Sequence, residues 1–543
     1  MFIAIQGDKK NILCVYYLNI MMNEKNEGYQ YDRCASRGIC SINPTTASLQ
    51  EVILLYLKTA AYYGLKSERC GKKDKRITNL VLNTLSVLSS NYEISRANFE
   101  IINSAFKTEL SRVAKEFDES CESGEKAEVN IFSELNTGLN DYIRYGEKEF
   151  NKRLQSLSAE ERNLYGILFI IIKSFCINIL IYESYGKAAE EEISLIYKSL
   201  ILLNTPAEQK GTLINHISDI SEQDCSLMKK IREAQEEAYG LQSDSEVSFS
   251  TTKGKAVLVV GSNLRELEQI ADVFEGKNID IYTHDNMVIA HTFPKFREYK
   301  NIKGQFGQGL EGCLLDFSTF PGPIILTRYS LFNVESLYRG RLFTTDLSYS
   351  KGVIPVKNND FSEVIKSAEE SKGFKTGKTC DSGTVGFSLI KIINEIKEKL
   401  ESGSYSQIIL IGTGGYSAEE KEYFKAFIQH APQESLILTL FCCESKENVI
   451  CINAMNDVYG MSRLFEVITA TFFQKVTVIF PYSDRHTLSV IINLANNKNI
   501  AVYIGKWCRM LMKPDITEGL KTAFNIKEVT TPKNDLNIMT DIK

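Results

Sequence analysis

The chain has 543 residues, with 63 Lys and Arg against 68 Asp and Glu and a net charge of −5. That length holds about three domains of ordinary size, and the interspersed charge excludes the continuous basic face that nucleic acid requires. Its 13 cysteines, with no evenly spaced framework and no export signal, read as reduced thiols in a cytoplasmic protein.

Residues 1–252 read as a helical-bundle domain. In 48–64, SLQEVILLYLKTAAYYG, the residues Val52, Leu55, Tyr56, Thr59, Ala60 and Tyr63 fall on one helical face. Further amphipathic stretches lie at 78–90, 97–117 and 133–154. The run 163–182, NLYGILFIIIKSFCINILIY, approaches the length of a membrane span. Lys173 and Asn178 interrupt it and no second span accompanies it, so it is expected as a buried central helix, with no membrane partner. A Ser- and Thr-rich run at 242–255 closes this half.

From residue 253 the pattern changes to alternating strands and helices. The apolar run 256–260 is broken by Gly261 and followed by Leu264, Leu267, Ile270 and Val273 at helical spacing, a buried parallel strand feeding a helix. A strand at 279–283 delivers Thr283, His284, Asp285 and Asn286 to its carboxyl end, and one at 323–327 delivers Arg328, Tyr329 and Ser330. Carboxyl ends are where open α/β sheets hold their chemistry. Lys303 and Gly304 to Gly307 read as a loop. Gly373, Gly377, Gly383 and Gly386 punctuate a second boundary. Beyond it, strands at 407–411, 435–441, 476–480 and 500–504 alternate with helices at 387–400, 418–430 and 485–495. The expected organisation is multi-domain, an N-terminal all-α domain (1–252) followed by two Rossmann-like α/β domains (253–376 and 377–543).

Several blocks, VVGSNLRELEQI, IYTHDNMVIAHTFPKF, IKGQFG, FPGPIILT and YRGRLFTT, resemble in order and spacing the middle domain of the hybrid-cluster protein (prismane) family. Lys58, Ala60, Ala61 and Tyr62 resemble the end of that family's first long helix. The resemblance implies a prismane-like fold and an iron-sulfur protein assigned to hydroxylamine or nitric oxide reduction, related to carbon monoxide dehydrogenases. It also implies a hybrid iron-sulfur-oxygen cluster held by His, Glu and Cys at strand ends, and a cubane cluster near the amino terminus.

At the positions that match the family's cluster ligands, the side chains differ. The His of a Gly-His-Asp turn is Ser262 here, followed by Asn263; the Glu after Thr-His is Asn286; the Cys ending the third strand is Ser330 or Tyr329. The Gly-Gly-Cys turn gives Gly414, a later Cys gives Ala470, and the Trp-x-Glu-x-Lys segment gives Tyr482 to Asp484. Cys442 matches a ligand Cys. In the amino-terminal region Cys34 and Cys40 keep a Cys-x5-Cys pair, with Cys14 and Cys70 as further candidates. Hydroxyls and amides are poor iron ligands beside thiolates and imidazoles.

Blander readings stand beside these. His284 and His291 fit hydrogen-bonded structural roles, and Cys442, Cys443 and Cys451 fit buried free thiols. Gly412 to Gly415 with Ser417 fit a tight turn opening a helix. Three functions follow. The first is a noncatalytic paralogue without cofactor, acting through a protein partner. The second is an active iron-sulfur oxidoreductase supplied by a small redox protein. The third is a binding protein holding a small anion or polar molecule with Ser262, Asn263, His284, Asn286 and Arg328.

Overall fold

In the computed structural model the helical half comprises α1 (Pro44–Arg69), α2 (Lys75–Ser89), α3 (Arg96–Ser120), α4 (Leu139–Ser156), α5 (Ala159–Ser184), α6 (Glu190–Leu202) and α7 (Lys210–Tyr239). The structure describes residues 44–89, 96–120, 138–203, 210–307, 312–330, 337–347, 349, 352–386, 388–403, 405–414, 417–441, 446–453, 457–472, 474–506 and 514–540. Cys14, Cys34, Cys40 and Cys442 lie outside them.

Helix α5 is the apolar run expected as a central helix. It starts at a capping box in which the Ser158 hydroxyl accepts from the Glu161 amide and the Glu161 carboxylate accepts from the Ser158 amide. Leu164, Ile167, Leu168, Ile171, Ile172 and Phe175 are fully buried. Among the described residues it is the one helix long and apolar enough to cross a bilayer, but 67% of its most apolar window is buried against other helices. Two of those are α2 and α7.

Strand β1 (Ser245–Val247) opens the α/β half. The first parallel sheet then contains β2 (Lys255–Val260), β3 (Ile279–His284), β4 (Ile302–Gln305), β5 (Ile324–Leu326), β6 (Leu342–Thr344) and β7 (Ile354–Pro355). Its helices are α8 (Leu264–Phe274), α9 (Pro294–Glu298), α10 (Cys313–Thr319) and α11 (Ser362–Glu370). Strand β8 (Gly383–Val385) pairs antiparallel with β1, and bridges Thr251↔Lys378 and Gly254↔Phe374 continue that contact. The two polar stretches read as domain boundaries therefore lie against each other as a two-stranded neck.

Beyond the neck come α12 (Leu389–Ser402), β9 (Gln407–Ile411), α13 (Ala418–His430), β10 (Ser435–Thr439), β11 (Val449–Cys451), α14 (Val458–Thr471), β12 (Lys475–Phe480), α15 (Thr487–Ala495), β13 (Ile500–Ile504), α16 (Pro514–Phe524), β14 (Lys527–Glu528) and α17 (Pro532–Thr540). The sheets have orders β4-β3-β2-β5-β6-β7 and β11-β10-β9-β12-β13-β14. Both are parallel throughout and both are doubly wound in the Rossmann order. Their central strands are near-continuous apolar runs because helices cover both faces; residues 256–260 have no exposed surface.

Four local expectations are corrected. Residues 302–305 form an edge strand, not a loop, pairing with β3 through Tyr282↔Gly304. The strand expected to reach residue 441 ends at Thr439. The helix expected from residue 485 begins at Thr487, because the Asp484 carboxylate accepts from the His486 and Thr487 amides and stops the helix there. Cys451 is neither buried nor a free thiol: it ends the edge strand β11, exposed, and is disulfide-bonded.

Candidate functional site

In each sheet the winding reverses between the first and fourth strands of its sequence, β2 and β5 in one and β9 and β12 in the other. The crevice outside such a reversal is the usual ligand site of an open α/β sheet. Ser262 and Ser330 follow β2 and β5, while Gly414 and Tyr482 to Asp484 follow β9 and β12. Five of the positions taken from sequence, Ser262, Ser330, Gly414, Tyr482 and Asp484, thus lie at the two reversals, with Asn286 just past neighbouring β3.

At the first reversal, Gly261 adopts φ +119°, and the Thr327 amide and hydroxyl both donate to the Val260 carbonyl. The Ser330 and Thr327 hydroxyl oxygens are 3.3 Å apart. A Cβ on Gly261 would stand 2.1 Å from Ser330 Oγ and 2.3 Å from Thr327 Oγ1, so only glycine closes this turn. Gly261→Ala is expected to lower stability by about 2–3 kcal/mol, read as a shift in urea unfolding. Ser330→Ala in the same chain should restore part of the loss.

Of the non-glycine residues with left-handed backbone, two lie near this reversal, Asp285 at φ +58° and Tyr329 at φ +70°. Both stand at strand ends, where such strain persists only if neighbours fix it. For Tyr329 they do: its amide donates to Asp346 Oδ2 at 2.8 Å and its carbonyl accepts from Arg485 Nη2 at 2.8 Å. Arg485 also donates through Nη1 to the Ser89 carbonyl at the end of α2. One guanidinium beyond β12 therefore ties the first sheet and the helical half to the second sheet.

His486 continues the same turn. Its Nε2 accepts from Arg485 Nε at 3.1 Å, which leaves the ring proton on Nδ1, 3.4 Å from Ser174 Oγ on α5. Burial, and then the adjacent Arg485, lower its pKa to about 4, so the ring is neutral. The Asp285 carboxyl is pushed up, chiefly by burial, and further by the carboxylate of Asp484 in the other domain.

The crevice-binding candidates differ in availability. Asn263 caps α8 by accepting from the Glu266 amide at 3.2 Å. Arg328 pairs with Glu266 at 3.2 Å and donates to the Thr345 carbonyl at 3.0 Å. His284 is fully buried, with Nε2 3.0 Å from Asp316 Oδ2 and its ring edge-on to Phe317. His291 bonds Thr283 Oγ1 at 2.9 Å, and burial lowers its pKa to about 4. Asn263, Arg328 and His291 are engaged in these contacts, while His284 keeps Nδ1 buried without a partner among the described residues. Ser262 is exposed and Asn286 half-buried, and both remain available to a ligand.

Whether a hybrid cluster fits is decided by the donors. Among the described residues, the matched strand-end positions Ser262, Ser330, Asn286 and Gly414 supply two hydroxyls, one amide and no side chain at Gly414, where a Cβ would stand 2.3 Å from Glu420 Oε1 and 2.7 Å from Pro481 Cβ. A cysteine cannot be carried there without displacing the β12 turn. Ala470 is exposed on the last turn of α14 and is not brought to the strand ends. Tyr482 is buried, and Asp484 serves as the cap described above. Among the described residues no group of three or more His, Cys, Asp or Glu is arranged to hold a metal ion. The described donors do not fit the cluster.

Sequence reasoning missed Arg485 and His486, which it placed inside a helix. The available signal was their position, a few residues beyond a buried strand at a winding reversal.

Two doubly wound sheets behind a helical half, with their strand ends tied together, define the class of fold. A family model described as Prismane/CO dehydrogenase family matches residues 28–455, most of the chain, and the protein belongs to that family. Hydroxylamine reductase of Thermodesulfovibrio yellowstonii is 23% identical over 529 residues, covering 93% of this chain and 97% of that one. That of Methanosarcina mazei is 23% identical, covering 95% and 99%, and that of Burkholderia ambifaria 25%, covering 80% and 79%. Among solved structures, carbon monoxide dehydrogenase IV from Carboxydothermus hydrogenoformans aligns with a TM-score of 0.44 at 12% identity, covering 95% of this chain and 89% of that one.

Proposed function

We propose that this chain is a noncatalytic member of the family, which keeps the scaffold but has given up the cluster's ligand set, and that it acts in the cytoplasm by binding or assembly with a protein partner. The observation that carries this reading is Gly414, where the packing of Pro481 and Glu420 leaves no room for a thiolate. Ser262, Asn286 and Ser330 support it, since neutral hydroxyls and an amide do not compete with thiolate and imidazole for iron. No cofactor accompanies the reading.

A second reading is favoured by the relatives' names. Full-length relatives are called hydroxylamine reductases, and on that reading this chain would be an iron-sulfur oxidoreductase drawing ligands from Cys14, Cys34, Cys40 and Cys442. A third keeps the crevice as a small-molecule site, for which Ser262 and Asn286 are the available polar groups. Hydroxylamine-dependent oxidation of a reduced viologen dye, followed anaerobically, separates the first two. The expected rate equals that of the protein-free control, and a protein-dependent rate above it overturns the noncatalytic reading.

A further inference from the structure

Helix α7 runs between the helical half and the second α/β domain, and its Asp224 is fully buried. One carboxyl oxygen accepts from Asn178 Nδ2 on α5 at 2.7 Å, the other from Ser489 Oγ on α15 at 2.6 Å. Asn178 Oδ1 in turn accepts from Tyr459 OH on α14 at 3.0 Å. A single carboxyl group thus joins two elements of the helical half to two of the second α/β domain.

The groups around it supply no balancing charge. Tyr459 on α14 is held neutral, its pKa raised by burial and then by Asp224. Cys225, the next residue, is likewise pushed up by burial, with Glu466 of α14 adding to the effect. Helix α15 has no ionisable residue in Thr487–Ala495. The cations of α7 are paired elsewhere: Lys210 with Glu160, Lys229 with Glu466, Lys230 with Glu192 and Arg232 with Asp457.

We propose that Asp224 is the proton-binding element of an interdomain latch: protonated, it donates to the Ser489 hydroxyl, which then serves as the acceptor, and holds α15 against the helical half; ionised, it is a buried charge with no paired cation and releases α15. The consequence reaches the crevice, because α15 begins immediately after Arg485 and His486, the residues that tie the strand ends together. Burial raises the Asp224 pKa from 3.8 to about 7, against the smaller lowering by Ser489 and Asn178.

The sign follows from linkage. In the opened, hydrated state the carboxyl ionises near its ordinary value, whereas in the closed state it keeps its proton to about pH 7. Its contribution to closure is therefore full below about pH 4 and is lost progressively up to about pH 7. Between pH 5.5 and pH 8 the opening equilibrium should rise roughly thirtyfold.

Hydrogen exchange of the α15 amides, corrected for the intrinsic pH dependence of exchange, tests this on the full chain. The expected result is a loss of protection of roughly thirtyfold from pH 5.5 to pH 8 in the native protein, and none in Asp224→Asn, whose amide keeps the shape of the protonated acid. Equal pH dependence in the two proteins, or none in either, overturns the proposal. If Asp224→Asn fails to fold, isotope-edited infrared spectra of the native protein replace it. A protonated aspartic acid band at pH 6 that disappears by pH 8.5 supports the latch, and no such band sinks it.

Discussion

Asp457→Ala is expected to lower stability by about 5 kcal/mol, read as a shift of the first urea-unfolding transition to lower concentration. Asp457 carries the counter-charge to Arg232, whose side chain is 2% exposed and whose guanidinium lies 5.4 Å from the Phe293 ring. Arg232 Nε and Nη1 have no hydrogen-bond partner, so Asp457 is the group that compensates its burial. Removing one partner of a buried pair costs about 3–5 kcal/mol, because the other charge is left in a medium that cannot solvate it. Asp457 also caps α14 by accepting from the Gly460 amide at 3.1 Å, a further ~1 kcal/mol. The double variant Arg232→Met with Asp457→Asn should recover most of the loss, since it removes both charges and two unpaired donors while keeping a capping oxygen. If the double variant is no better than Asp457→Ala, the pair is not what holds this junction.

That junction matters to the site because it joins the same three regions as Arg485. Arg232 belongs to α7, Phe293 follows β3 in the first α/β domain, and Asp457 starts a helix of the second. The pair and the Phe293 contact therefore bridge the helical half and both α/β domains.

Much of this architecture was legible in the sequence, for a definite reason. Strands buried on both faces read as continuous apolar runs, so 407–411 and 500–504 were bounded correctly, as was the helix 418–430 that Ser417 caps. Strands of two or three residues, such as β6, β7 and β14, carry too little pattern to stand out, and edge strand β4, with two glycines' worth of turn character around it, reads as a loop. The β1–β8 neck is invisible locally because its two strands are more than a hundred residues apart.

The site was legible in part. Winding reversals bring strand ends together, and Ser262, Ser330 and Gly414 follow strands at those reversals, whereas Ala470 sits exposed on a helix. Beyond its position after a buried strand, nothing local marks Arg485, since two of its partners are backbone carbonyls, of Ser89 and Tyr329, distant in the chain. The same holds for Asn263 and Arg328, whose polar side chains look available in sequence and are spent on a helix cap and on Glu266.

The second large effect concerns metal content. A cubane cluster takes four thiolates, and the resemblance to the hybrid-cluster family implies further imidazole and carboxylate ligands at the strand ends. On the proposed reading, hydroxyls at Ser262 and Ser330, an amide at Asn286 and the absent side chain at Gly414 leave the described strand ends without that ligand set. Iron and acid-labile sulfide per chain, measured on protein purified without oxygen, therefore test the account most directly. Far less than one iron per chain, with no sulfide, is the predicted result; iron and sulfide near the stoichiometry of a full cluster would contradict it.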